Sequence, residues 1–247
     1  MLPPVDIAYI TEELRTQTEE LVEVFEDGNS DTDPDPRVLL HALNELFADL
    51  HRLDEEELPR QAAMEVQTRS TSKKMRILGD RGIDLLTRLA ALAGRLHLPR
   101  QAHAIEELTL PLACWVARRG GELGHIGPVV DGATTLANRI DQPSELGRLY
   151  GLLTEVVDAV DLQVSQDKGP SGPWRLLLLN RAIVATRSHR PELMEDAFEA
   201  IVEHLPEDAP VFFRESMEQM DALGYPHQAR TVMQRYHDQW CKQRVLH

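Results

Sequence analysis

The chain has 247 residues, enough for one large core or two smaller ones; 42% are apolar and only 5% aromatic, and Leu, Ala, Glu and Arg dominate, which predicts an ordered, all-α protein. Its formal net charge of -15 argues against DNA or RNA as a partner, because nucleic acids are bound by surfaces dense in Lys and Arg. The two cysteines, Cys114 and Cys241, are too few and too far apart for a disulfide framework or a zinc site, so a reducing, cytoplasmic setting is expected.

In chain order, residues 1–57 come first, carrying 17 acids against 3 Arg, almost the whole net charge. Met1 to Asp6 shows no basic region followed by an apolar run, and nowhere does the chain offer the roughly 18 apolar residues of a membrane span, so neither export nor a membrane partner is expected. Ile7, Ile10, Leu14, Leu21 and Val24 recur at steps of three and four, with Gln17 in the remaining slot, which predicts a helix capped by Asp6. A second helix, from about Arg37 to Leu53, has Leu39, Leu43, Leu46, Leu50 and Leu53 as its seam. Together they predict an acidic helical hairpin. The loop between them, Asp27 to Pro36, spaces Asp27, Asn29 and Asp31 as an EF-hand spaces its first ligands. It has Thr32 where the turn glycine belongs and Val38 where the bidentate Glu belongs, so it reads as a linker and not a calcium site.

The carboxylates of this hairpin form a pattern of their own. Glu19, Glu20 and Glu23 make an EExxE segment, and Glu45 with Asp49 follows on the second helix. This resembles the paired acidic helices of the all-α nucleoside triphosphate pyrophosphohydrolases, although the second segment is ExxxD where that family has ExxD. The resemblance implies a magnesium ion held by Glu19, Glu20, Glu23, Glu45 and Asp49 and the release of diphosphate from a nucleotide. It is the alternative to a plainer reading, in which the carboxylates are a solvated helix face and no metal or cofactor is bound.

Residues 58–80 reverse the sign and read as a basic connecting helix; over 58–100 there are 9 Lys and Arg against 3 acids. Arg69, Lys73, Lys74 and Arg76 concentrate this charge, and they are the expected partner contacts: they would meet the acidic hairpin of the same chain or of a second copy, giving a homo-oligomer.

Residues 81–247 form the predicted body, about four helix-turn-helix pairs in an α-solenoid or a helical bundle. Pro99, Pro143, Pro191 and Pro226 set the register, each where a second helix begins. Three residues on stand Ala102, Leu146, Met194 and Ala229; six on, Ile105, Leu149, Ala197 and Val232; fourteen on, Ala113, Val157, Leu205 and Trp240. Six before stand Ala93, Ala137, Ala185 and Met220; thirteen before, Leu86, Val130, Leu178 and Phe213. Every one is apolar. The pairs are expected at about Arg81 to Arg119, Ile126 to Asp161, Pro173 to Leu205 and Ala209 to Gln239, with a hinge over Ser165 to Pro173. The pattern resembles the tetratricopeptide-like and HEAT-like α-solenoids, which implies a concave surface for a peptide or protein partner. No GxSxG, GxxxxGK[ST], HExxH or HxxxH occurs, so no catalytic residue is assigned and a non-catalytic interaction scaffold is the expected function.

Overall fold

The computed structural model describes residues 2–27, 35–56, 64–165, 169 and 172–242, and the side chains of these except at 54–56, 64–71 and 242. It is all-α. Twelve α-helices follow one another among the described residues: α1 Ile7–Asp27, α2 Pro36–Glu56, α3 Met64–Arg95, α4 Pro99–Glu107, α5 Thr109–Arg118, α6 Gly127–Arg139, α7 Pro143–Ala159, α8 Leu162–Ser165, α9 Pro173–Arg187, α10 Pro191–His204, α11 Ala209–Leu223 and α12 His227–His237, with a π-helical turn over Asp238–Lys242. Most of the EF-hand-like loop and most of the expected hinge lie outside the described residues.

Contacts divide the chain into two compact units, one of Pro3–Leu136 with Asp158–Val164, the other of Ala137–Val157 with Ser165–His247 and Met1–Leu2. In the first, α1 and α2 pack on each other, α2 packs on α3, and α4 and α5 pack on both α1 and α3. Asp6 caps α1, its carboxylate accepting the Tyr9 N–H at 2.9 Å. The buried stripe is Ile7, Ile10, Leu14, Thr18 and Leu21, so Thr18 and not Gln17 turns inward. A period of 3.6 residues drifts against a strict heptad, and threonine tolerates the core because its hydroxyl donates to the Leu14 carbonyl at 2.8 Å. The break expected between Asp80 and Arg81 is absent: α3 runs unbroken for 32 residues. No proline interrupts it, and the mild cost of Gly82 is outweighed by the buried seam Ile83, Leu86, Leu89, Leu92 and Ala93.

The proline register is a structural register. Pro99, Pro143 and Pro191 are the first residues of α4, α7 and α10, and Pro226 caps α12. At all four pairs the residues thirteen and six before the proline, and three and six after it, are buried. The column fourteen after is less regular, since Val157 and Trp240 are only half-buried while Ala113 and Leu205 are buried. Three of the joints also share a backbone device. Two residues before the proline stands a residue in the left-handed region: His97 at φ 60°, His189 at φ 58° and Gly224 at φ 68°. At two of them the next N–H reaches back to the carbonyl six residues before the proline, Leu98 to Ala93 at 2.9 Å and Tyr225 to Met220 at 3.4 Å. This is the Schellman closure of a helix, followed at once by a proline that cannot prolong it. His97 and His189 can take this conformation because imidazole side chains tolerate positive φ better than β-branched ones.

Two glycines of this body invite opposite substitutions. A Cβ on Gly132 of α6 would lie 2.5 Å from the Glu106 carbonyl oxygen and 2.7 Å from Thr109 Oγ1, whereas one on Gly151 of α7 would meet nothing within 4 Å. Chemical denaturation should therefore find Gly151→Ala stabilising by about 0.5–1 kcal/mol and Gly132→Ala destabilising by about 1–3 kcal/mol. Equal effects at both positions would remove the close approach at Gly132.

Candidate functional site

The acidic residues of the first unit are engaged separately. Glu19 pairs with Arg15 at 2.5 Å, and the same guanidinium holds Glu12 at 2.6 Å. Glu20 accepts from the Gln101 side chain, and Asp49 pairs with Arg52. Glu23 is exposed. Glu45 lies 3.5 Å from His41 and, with Asp49, lines a cleft of about 310 Å³ between α2 and α3 whose other charged residues are Arg52 and Arg81. Cations thus stand beside the carboxylates, and among the described residues no three His, Cys, Asp or Glu side chains gather as a metal site.

The basic residues of α3 divide in two. Lys73 and Lys74 are exposed, and among the described residues neither forms an ion pair. The side chain of Arg69 lies outside the description. Arg76, expected on the same outward surface, is committed within the chain: it pairs with the buried Asp161, lies 3.6 Å from Glu122 and 3.8 Å from Asp80. Asp80 in turn accepts the N–H groups of Gly124 and His125, both at 3.0 Å. The parallel bridge between Leu123 and Val160 lies beside this network. Arg76 is therefore a fastening of residues 122–125 and 158–161 within their unit.

The second unit carries a site that sequence reasoning did not single out. Between α11 and α12 opens a cleft of about 420 Å³. Met217 of α11 is its nearly buried apolar floor, and Arg230 and Arg235 of α12 are the cations around it, beside the imidazole of His227. Arg230 pairs with Asp221, and Arg235 pairs with Glu195 at 2.7 Å and lies over the Tyr236 ring. The Glu195 hydrogen bond raises the Arg235 pKa further above its ordinary value. Asp238 closes one end and accepts from Gln234 at 2.6 Å. Because the α12 cap is Pro226, no side chain satisfies the first N–H groups of the helix, which therefore add their partial positive charge at His227. The letters did contain a signal: positions 227, 230 and 235 put three basic residues on one short helix of an otherwise acidic protein.

No family model, no curated protein and no solved structure matches this chain. The site must be judged on its own chemistry.

One more ionisable cluster lies in the second unit. Arg181 of α9 is buried, donates to Thr154 Oγ1 at 3.0 Å and to Asp196, and stacks 4.5 Å from the centre of the Tyr150 ring. The Tyr150 hydroxyl donates to the same Asp196. Burial first, and then that hydrogen bond, push the Tyr150 phenol well above its usual pKa. Every member faces another member across α7, α9 and α10, so the cluster locks three helices, with Asp196 at its exposed edge.

Proposed function

We propose that the chain is a non-catalytic interaction scaffold of α-solenoid type whose C-terminal helix pairs receive an acidic segment of a protein or peptide partner. The observation that carries this reading is the α11–α12 cleft, an apolar floor flanked by His227 and Arg230 at the positive end of α12 and by Arg235 in its last turn. Each guanidinium offers five N–H donors and has one carboxylate partner, Asp221 or Glu195, so donors remain for a ligand carboxylate. The shared register of the helix pairs supports a repeat body, since stacked pairs expose a continuous surface. Among the described residues of the cleft the one hydroxyl, that of Thr231, donates to the His227 backbone carbonyl and not to its imidazole.

Peptides selected from a random display library on the full chain should be enriched in Asp and Glu beside an apolar residue. In anisotropy titrations their affinity should fall about tenfold or more in the Arg230→Glu, Arg235→Glu double variant, roughly the loss of one charge-assisted pair. Peptides that bind the double variant equally well would defeat the assignment of the cleft. Magnesium-dependent turnover of nucleoside triphosphates, abolished by Glu23→Gln and Glu45→Gln, would defeat the scaffold reading as a whole.

A further inference from the structure

The exposed face of α3 carries a basic row at a strict spacing. Lys74, Arg81, Arg88 and Arg95 stand seven residues apart, every one exposed, and the outward face they share also holds Lys73 and a single acid, Asp84, which lies 3.9 Å from Arg88. At 1.5 Å rise per residue the row repeats about every 10 Å over some 30 Å of helix. Ile77, 58% exposed, sits in the same row and offers apolar contact between the first two cations. The exposed face of α1 carries the opposite charge at the same spacing: Glu12, Glu19 and Glu26 stand seven apart and exposed, flanked by Glu20 and Glu23, with Arg15 as the one cation of that face.

Among the described residues of one chain no ion pair joins the two rows. The apolar stripe of α1 is spent on the core of its own unit, and the ion pairs of its acidic row go to Arg15 and to Arg37 at the start of α2. Among the described residues the basic row has no carboxylate against it beyond Asp84, apart from the cleft in which Arg81 lies near Glu45 and Asp49. We propose that the occupant of the basic row is the α1 face of a second copy of this chain. Both rows lie on one unit, so a two-fold arrangement docks each α1 on the α3 of its partner and satisfies both rows at once. The matched seven-residue spacing gives the contact a register, as charged positions flanking a coiled-coil seam do. The proposal is independent of the peptide cleft on α12.

Two copies each at -15 repel as wholes, so the proposal predicts a particular salt dependence. At about 0.1 M salt, where the Debye length is roughly 10 Å, distant charges are screened while touching rows still attract. Sedimentation equilibrium of the full chain should show dimers there and monomers at about 1 M, where screening reaches about 3 Å. Reversing the basic row (Lys74→Glu, Arg81→Glu, Arg88→Glu) should weaken self-association by about tenfold or more, and so should reversing the acidic row (Glu12→Lys, Glu19→Lys, Glu26→Lys). Mixing the two reversed proteins should restore a dimer, because each then presents the row that the other needs. Gln replacements at the same positions, with circular dichroism matching the parent, serve if a reversed chain does not fold. A monomer at every salt concentration, association that strengthens with salt, or association indifferent to these substitutions would overturn the proposal and leave the row to another partner.

Discussion

Phe198→Ala is expected to cost about 3–5 kcal/mol, the largest loss from any single truncation in the second unit. The ring is fully buried, and its centroid lies 5.2 Å from Phe213, 5.2 Å from Tyr236 and 5.8 Å from Phe212, all edge-on. One side chain of α10 thus anchors α11 and α12 together. The pair geometry adds to simple transfer of apolar area, since edge-to-face rings are worth about 0.5–1.5 kcal/mol each beyond burial. Phe212→Ala should cost less, because that ring is 9% exposed and contacts Phe198 from the rim. With two compact units the chain need not unfold in one step, so the transition to follow is that reported by Trp174, which lies in the same unit. A loss below about 1 kcal/mol at Phe198 would mean that the aromatic cluster is not the core of α10, α11 and α12.

The aromatic cluster also marks the boundary of what the sequence alone discloses. Helix existence and starts were legible wherever one residue decides them: Pro99, Pro143 and Pro191 each open a helix, and Asp6 caps one, for reasons confined to a single turn. The four proline-aligned columns nearest the joints were legible for the same reason, because the helix period makes them face inward. What was not legible depends on residues far apart. Arg76 reads as a surface cation until Asp161, 85 positions away, is brought to it. Gln17 reads as a core position until the drift of α1 brings Thr18 inward. The cleft on α12 exists only because α11 supplies Met217 beneath it. Charge followed the same rule: the excess of acid on α1 and of base on α3 is written in the letters, but that the rows point outward follows only from the burial of the opposite faces.

The second large effect is expected at the charged cluster of α7, α9 and α10, and it should be asymmetric. Asp196→Ala removes the only carboxylate that, among the described residues, pairs with the Arg181 guanidinium, whose side chain is 5% exposed, while Asp196 itself is 60% exposed. The variant leaves a cation buried without its counter-charge, which costs about 3 kcal/mol, the low end for a broken buried pair because water reaches the site through the vacated position. Arg181→Met keeps most of the volume and leaves Asp196 free to hydrate, so its loss should stay below about 1.5 kcal/mol. The double variant should then be more stable than Asp196→Ala alone, which a double-mutant cycle by urea denaturation measures directly. Tyr150 adds a pH signature. Its phenol ionises at higher pH in the folded state than in the unfolded chain, so its contribution is complete below the ordinary tyrosine value of about 10 and is lost as pH rises through the folded value. Tyr150→Phe should therefore cost about 1 kcal/mol at neutral pH and should flatten the alkaline fall in stability. If Arg181→Met instead proved the more damaging of the two, the guanidinium would be acting chiefly through its stacking on Tyr150 and its bond to Thr154, and Asp196 would be a surface residue that happens to lie near it.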